Sequence, residues 1–230
     1  MALGEYIGAG SSVTKGLWHL NGNSNDDSGN GNNGSDTDIT YSNDYGKFGQ
    51  GASFNGSSSK ITLAQSTTLD LHMWSHTISA WIYLNGSGQY ILFGKGSYAA
   101  NKTQWKTRIQ VSTRKIEHFI THSADTGIDY FITTGGLSLY TWYYLTLIYD
   151  KSARNISCYI NGFPFAGTFT PVSSFTSAAE SINAYIGCEP NGTSNWFNGY
   201  LDEIIFENRI WTAVEIQKYY TMAKGRFGNL

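Results

Sequence analysis

The stretch TISAWIYL, Thr77–Leu84, shows the pattern that decides the fold. Apolar residues stand at the even-numbered positions from 78 to 84, while serine, tryptophan and tyrosine alternate with them. Successive side chains of a β-strand point to opposite faces, so one face of this segment faces a core and the other is partly exposed. The stretch therefore predicts a strand of an antiparallel sheet.

Similar strand signals recur along the chain, and helical periodicity is nearly absent. Asn-Gly pairs, which adopt positive φ at low cost, punctuate the segments as hairpin turns. The clearest pair is Asn161-Gly162. The predicted strands are Ser53–Leu63, Thr77–Leu84, Tyr90–Phe93, Lys106–Ser112, Ile116–Thr121, Tyr130–Thr133, Trp142–Asp150, Asn155–Ile160, Ala184–Gly187 and Gly199–Glu207.

One segment near the C-terminus has helical character. In TAVEIQKYY, Thr212–Tyr220, Thr212 is a suitable N-cap and Glu215 follows three residues later, which is the pattern of a capping box. Many strands joined by tight turns, without crossover helices, indicate an all-β, two-sheet antiparallel sandwich with one short C-terminal helix. We expect one domain over residues 16–221, an N-terminal arm over 1–15 and a C-terminal tail over 222–230.

Composition narrows the class of protein. The 230 residues carry a net charge of −2 and no cluster of Lys and Arg, so nucleic acid is not an expected partner. No run of about 18 apolar residues exists, so we expect no membrane insertion. The first ten residues, MALGEYIGAG, do not resemble a signal peptide. Cys158 and Cys188 could form one disulfide, and the sequence does not decide whether they do.

An unusual polar segment, NGNSNDDSGNGNNG, occupies residues 21–34. Fixing each residue costs about 1–2 kcal/mol of backbone entropy, and this segment has few apolar groups whose burial would offset that cost. A Ca²⁺ ion, which takes six to eight oxygen ligands, is one source of order. A long turn closed by Asx-type hydrogen bonds is the alternative, and both interpretations stay open.

Residues 16–220 resemble the laminin-G-like jelly rolls of the concanavalin A-like lectin/glucanase superfamily. The resemblance rests on six blocks in the expected order. They are GLWHLNG (16–22), DDSGNGNNG (26–34), GKFGQGASFNG (46–56), TISAW (77–81), CYING (158–162) and FNGYLDEII (197–205). The resemblance implies a jelly roll whose first strand lies beside its last.

The resemblance also implies a structural Ca²⁺ ion. Members of the superfamily often bind calcium near the junction of the first and last strands, and this role carries over to Asp26 and Asp202. Asp27, Asn32 and backbone carbonyls are the expected remaining ligands. Asn21 stands where many relatives have Asp, so this chain has one charge fewer at that place.

The same superfamily contains glycoside hydrolases. Retaining hydrolysis needs two carboxyl groups about 5–5.5 Å apart, which relatives supply from a Glu-x-Asp-x-(x)-Glu run on one strand. This chain has no such run, and Asp202 and Glu203 are adjacent, which in a regular strand points them to opposite faces. We therefore expect no catalytic residues and no enzymatic activity.

Two predicted loop clusters place aromatic residues among amides, GSYAANKTQW (96–105) and PNGTSNW (190–196). Segments this polar are expected at the surface, where rings stack on sugars and amides bind hydroxyl groups. A contact between protein chains would use the same groups. The candidate platforms are Tyr98, Trp105 and Trp196, and their polar partners are Asn101, Gln104 and Asn195.

The sequence thus predicts a non-catalytic binding module for a glycan or cell-surface polymer. We expect it in an adhesin or a virion surface protein of the decoration, fibre or tail type, and hence at an extracellular or virion surface. The alternative is a structural virion or assembly subunit that binds no glycan. Its partners would be other virion or surface proteins, or further copies of the chain in a homo-oligomer.

Overall fold

The computed structural model describes residues 12–86, 90–97, 102–122, 127–171 and 181–225. Over these residues the chain forms two antiparallel sheets of eight strands each, followed by helix α1, Ala213–Gly225. The first sheet contains β1 (Thr14–Trp18), β3 (Thr40–Ser42), β4 (Gly51–Asn55), β6 (His76–Leu84), β11 (Trp142–Asp150), β12 (Asn155–Ile160), β13 (Phe163–Phe165) and β16 (Asn198–Glu207). The second contains β2 (Gly34–Thr37), β5 (Lys60–Leu63), β7 (Tyr90–Ser97), β8 (Lys102–Ile109), β9 (Lys115–His122), β10 (Gly127–Gly136), β14 (Gly167–Thr170) and β15 (Ala184–Ile186).

The strand order confirms the predicted sandwich. The first sheet runs β13-β12-β11-β6-β16-β4-β3, and the second runs β14-β10-β9-β8-β7-β15-β5-β2. Strand β1 pairs with β16, with Trp18 opposite Ile204, so the first strand lies beside the last. This pairing brings the loop after β1 close to Asp202 and Glu203.

The core between the sheets is rich in aromatic side chains. Phe206 lies at its centre, with the rings of Trp18, Phe93 and Trp105 packed edge-on at centroid distances of 5.1–5.6 Å. All four side chains are fully buried. Buried indole N–H groups need acceptors, and Trp105 Nε1 donates to the backbone oxygen of Leu69 at 2.9 Å.

Helix α1 covers the outer face of the first sheet. Its residues Ile216 and Tyr219 form a second apolar cluster with Trp81 and Tyr144 of that sheet. The predicted capping box is confirmed, because the Glu215 amide donates to Thr212 Oγ1 and the Thr212 amide donates to Glu215 Oε2. The helix continues to Gly225, beyond the predicted end at Tyr220, because no helix-breaking residue intervenes.

The structure differs from the predicted strand pattern in local details, of which the first has a clear cause. The segment predicted as one strand from Ser53 to Leu63 is two strands, because Asn55 Oδ1 accepts hydrogen bonds from three successive amides, residues 57–59, and bends the chain. The Asn161-Gly162 hairpin is confirmed, with φ values of 54° and 82°. Strand β1 begins at Thr14, so part of the predicted arm belongs to the sheet.

The two cysteines are free and buried. Cys158 lies in the core between the sheets, and burial raises the pKa of Cys188 to about 12. The disulfide that the sequence left open is therefore not formed. Over the described residues, no helix is long and apolar enough to cross a membrane.

Candidate functional site

Strands β8 and β9 present a polar surface on the outer side of the second sheet. Thr107 lies opposite His118 in the strand pairing, and both are fully buried, so these two positions face the core. The flanking positions must therefore face outward, because side chains alternate along a strand. Lys106 lies opposite Phe119 in that register, and Arg108 lies opposite Glu117.

An ion pair joins β8 to the loop that follows β15. Lys106 Nζ lies 2.5 Å from Glu189 Oε1, and the other carboxylate oxygen of Glu189 accepts from Asn195 Nδ2 at 3.0 Å. The residue Glu189 is 1 % exposed, so its charge needs both partners. This network fixes the loop bearing Asn195 and Trp196 against the sheet.

A second ion pair connects β8, β9 and β10. Arg108 Nε donates to Glu117 Oε2, while Glu117 Oε1 accepts from Gln110 Nε2 at 2.9 Å and from the Tyr130 hydroxyl. Glu117 is 1 % exposed, whereas the side chain of Arg108 is 37 % exposed. The guanidinium group therefore forms the accessible part of this network.

Aromatic rings lie among these charges. The Phe119 ring is 5.0 Å from Tyr130, with the Arg108 guanidinium 5.0 Å from its centroid. Lys60 Nζ lies 5.8 Å from the Trp196 ring and 5.9 Å from the Tyr185 ring. We call this surface the β8–β9 face. It consists of Lys60, Lys106, Arg108, Glu117, Phe119, Tyr130, Tyr185, Glu189, Asn195 and Trp196.

A cavity of about 240 Å³ adjoins the β8–β9 face at Arg108 and Gln110. It is smaller than the roughly 300–1,000 Å³ of sites that enclose a drug-sized ligand. The cavity is lined by Tyr90, Ile91, Arg108, Ile109, Gln110, Val111 and Ser112.

The six residues predicted to bind a ligand do not all lie together in the structure. Asn195 and Trp196 lie on the β8–β9 face and are half-buried. The prediction that Trp105 is a surface platform is wrong. Strand β8 already begins at Lys102, and the Trp105 ring points into the core. Gln104 is also buried. Tyr98 and Asn101 lie outside the described residues.

The predicted calcium ligand Asp26 is surrounded by backbone donors. Its Oδ1 accepts from the amides of Leu17 at 3.0 Å and Ser28 at 2.9 Å, and its Oδ2 accepts from the amide of Asn32 at 2.8 Å. The Asn32 side chain donates to the backbone oxygen of Lys15. These bonds order the polar loop in the way that the Asx-turn interpretation describes.

A bulge in β16 changes the expected orientation of Asp202 and Glu203. Leu201 and Ile204 both lie in the core between the sheets, so the two residues between them both project from the other side of the strand. Glu203 has a φ of 49°, and the pairing with β6 shifts here. The prediction that these carboxylates point to opposite faces is therefore wrong, because it assumed a regular strand.

The Asp202 carboxyl is almost completely enclosed. Its Oδ2 accepts from the amides of Lys47 at 2.6 Å and Phe48 at 2.7 Å, while Oδ1 is buried without a hydrogen-bond partner. Burial, together with the adjacent charge of Glu203, raises the pKa of Asp202 well above its usual value. Because Asp202 and Glu203 are both buried, the pair offers no surface to a substrate.

His19 joins Glu203 to Asp27. Its Nδ1 lies 2.8 Å from Glu203 Oε2, and its Nε2 lies 3.7 Å from Asp27 Oδ2. Burial alone would lower the pKa of His19, but the hydrogen bond and charge of Glu203, with the charge of Asp27, outweigh it and raise that pKa. Asp27 is thus linked to Glu203 through His19, and Asp202 senses the charge of Glu203, whereas Asp26 and Asn32 contact each other.

These contacts fit a calcium shell only in part. Over residues 12–86, 90–97, 102–122, 127–171 and 181–225, no three or more His, Cys, Asp or Glu side chains are grouped so that they could hold a metal ion. The unpartnered, buried Asp202 Oδ1 is the one observation that favours a cation. Calcium binding stays a prediction that depends on this atom.

If calcium binds at Asp202, the ion at about 100 times its dissociation constant adds about 2.7 kcal/mol to the free energy of unfolding. The melting temperature in calcium should then exceed that in EDTA. Asp202→Asn should remove the difference while keeping an acceptor for the Lys47 and Phe48 amides. Equal melting temperatures in calcium and EDTA would contradict calcium binding.

Most of the chain is similar to known proteins. Residues 55–217 match the sequence model of a family described as the Concanavalin A-like lectin/glucanases superfamily. A search of curated proteins found no match. Solved structures give many matches, of which three follow.

The binding domain of Paraclostridial Mosquitocidal Protein 1 has a TM-score of 0.71 and 16% identity, over 91% of this chain and 52% of that chain. A second match is domain 4 of AbnA, a GH43 extracellular arabinanase from Geobacillus stearothermophilus, in complex with arabinotriose. It has a TM-score of 0.59 and 20% identity, over 90% of this chain and 98% of that chain. Trypanosoma rangeli sialidase in complex with sialic acid has a TM-score of 0.66 and 16% identity, over 92% of this chain and 33% of that chain. This chain therefore spans about half of the first chain and a third of the last. At these identities the likeness shows the fold alone.

Proposed function

The chain belongs to the concanavalin A-like lectin/glucanases superfamily, and on that premise we propose that it is a non-catalytic binding module for a glycan or another cell-surface polymer. The β8–β9 face is the observation that carries this proposal. It combines half-buried rings with carboxylate, amide and guanidinium groups whose positions are fixed by hydrogen bonds.

This combination suits a sugar. A sugar ring has an apolar C–H face, which packs on an aromatic ring, and hydroxyl groups, which need donors and acceptors at fixed positions. Phe119 and Trp196 supply rings, while Arg108 and Asn195 supply donors. Because the polar groups already bond to one another, they are preorganised, and less entropy is lost on binding.

The structural matches support a binding role. Two of the matched structures are described as a binding domain and as an arabinanase domain in complex with arabinotriose. The second is of nearly the same length as this chain, since the match covers 98% of it. The arabinanase is described as extracellular, which agrees with the proposed place of action at a surface.

The proposal is tested by screening the protein on a glycan array with calcium present, and then by measuring the affinity of Trp196→Ala for any glycan bound. We expect this variant to lose affinity by roughly tenfold or more, since buried aromatic anchors dominate binding energy.

Phe163→Ala is the matched control, because Phe163 is 59% exposed on β13 of the opposite sheet, and its affinity should be unchanged. Failure of the wild-type protein to bind any glycan would overturn the proposal. The assembly alternative would then predict self-association or recruitment to a larger particle, such as the virion or adhesin expected from the sequence.

A further inference from the structure

The cations at the centre of the β8–β9 face are already neutralised within the protein. Lys106 has one carboxylate, Glu189, at 2.5 Å, and the Lys106 side chain is only 10% exposed. The second oxygen of that carboxylate is bonded to Asn195. A bound anion would have to displace a buried carboxylate in order to reach this ammonium group.

The Arg108–Glu117 pair has the same character. Glu117 accepts from three side chains, those of Arg108, Gln110 and Tyr130, so its charge is compensated and its lone pairs are directed at donors. Arg108 Nε donates to this carboxylate. The pair as a whole is neutral, and its exposed N–H groups act as hydrogen-bond donors beside a compensating negative charge.

Lys60, the third cation of the face, is held in another way. Its Nζ donates to the backbone oxygen of Gly192 at 2.7 Å and lies 5.8 Å from the Trp196 ring and 5.9 Å from the Tyr185 ring. The attraction of an ammonium group to these rings orients it toward the aromatic surface. Lys60 therefore shapes the platform.

Resting on the proposed function, we propose that the ligand of the β8–β9 face is an uncharged glycan, and that Glu117 and Glu189 exclude sugars that carry a carboxylate. An acidic sugar gains affinity mainly from a cation that is free to pair with it. Here Lys106 and Arg108 are already paired with Glu189 and Glu117, whose fixed charges repel a second carboxylate, and Lys60 donates to a backbone oxygen. Like charges brought together in this way disfavour the wrong partner. Hydroxyl groups meet donors and acceptors without that penalty.

The test compares neutral oligosaccharides, arabinotriose, cellotriose and lactose, with two acidic ones, trigalacturonate and sialyllactose. We expect the wild-type protein to bind at least one neutral probe and neither acidic probe. Its affinity for a neutral probe should change less than about twofold between 50 and 500 mM salt, since an uncharged ligand has no charge–charge attraction for salt to screen.

Glu117→Gln is the decisive variant. It keeps the shape of the side chain but leaves the Arg108 guanidinium unpaired, and a planar guanidinium binds carboxylates through two parallel hydrogen bonds. We expect it to bind an acidic probe, with an affinity that falls as salt rises. Glu189→Gln, which releases Lys106, provides the same test if the first variant does not fold.

Asp44→Asn is the control for net charge, because Asp44 is an exposed carboxylate beside the first sheet, and this variant should bind as the wild type does. Wild-type binding to an acidic probe would overturn this inference and leave the proposed function intact. Failure of either folded Gln variant to bind an acidic probe would also overturn it. Binding of no probe and no array glycan would overturn the proposed function itself, and this inference with it.

Discussion

Trp105→Ala is expected to lower the free energy of unfolding by about 3–5 kcal/mol, the usual cost of removing a buried tryptophan. The side chain is fully buried, packs 5.4 Å from Phe206 and donates to Leu69, so its removal leaves a cavity and an unpaired carbonyl oxygen. For a domain of this size the melting temperature should fall by roughly 6–20 °C. Thermal or denaturant unfolding measures the effect.

Trp196→Ala is the matched control, since it makes the same chemical change at a half-buried ring on the β8–β9 face. It should shift the free energy of unfolding by less than about 1 kcal/mol and should act on ligand binding instead. If Trp105→Ala kept its stability and lost binding, Trp105 would be a surface platform, as the sequence predicted.

Acid should destabilise the fold through His76 and His118. Their rings contact each other edge to face across the two sheets at 5.6 Å, and both residues are fully buried. Each Nδ1 is bonded, to the Leu71 oxygen and to Thr107 Oγ1 respectively, while each Nε2 has no hydrogen-bond partner. Protonating either ring would place a charge in the core with no acceptor for the new N–H.

Burial accordingly lowers the pKa of His76 to about 4, and burial with the neighbouring His76 charge lowers the pKa of His118 well below its usual value. Between about pH 6.5 and pH 4 the unfolded chain binds a proton at His76 and the folded chain does not. Stability therefore falls as the pH falls through this window, by about 3 kcal/mol for His76 alone.

His76→Gln separates this effect from other titrating groups, because Asp202, whose pKa is raised, acts in the opposite direction over acidic pH. Denaturant unfolding at several pH values from 7 to 4 should give a shallower loss of stability for the variant than for the wild type. Parallel curves for the two proteins would show that His76 is protonated as easily in the folded state as in the unfolded one.

Alternation of apolar residues was sufficient to predict the long central strands. The predicted bounds of Trp142–Asp150 and Asn155–Ile160 agree with β11 and β12, because each strand has one face in the core and ends at a turn signal. Short strands such as β3, Thr40–Ser42, have no buried residue, so they leave no periodic pattern to detect. They form because a neighbouring strand offers backbone partners.

The site could be predicted only in part. Asn195 and Trp196 of the candidate site could be predicted because an aromatic ring in a polar loop is a local signal. The pairing of Arg108 with Glu117 depends on the register of β8 against β9, which a single sequence does not specify. The bulge that places Asp202 and Glu203 on one side of β16 likewise arises from backbone geometry at Glu203, with no glycine to mark it.

The proposed function depends on the β8–β9 face, which should bind an uncharged glycan. A crystal structure of the wild-type protein with a neutral oligosaccharide that binds in the screen tests this most directly. We predict electron density for the sugar over Phe119 and Trp196, within hydrogen-bond distance of Arg108 or Asn195, with the Glu117 and Glu189 ion pairs intact. Sugar density at another surface, with the β8–β9 face bare, would contradict a binding role for this face.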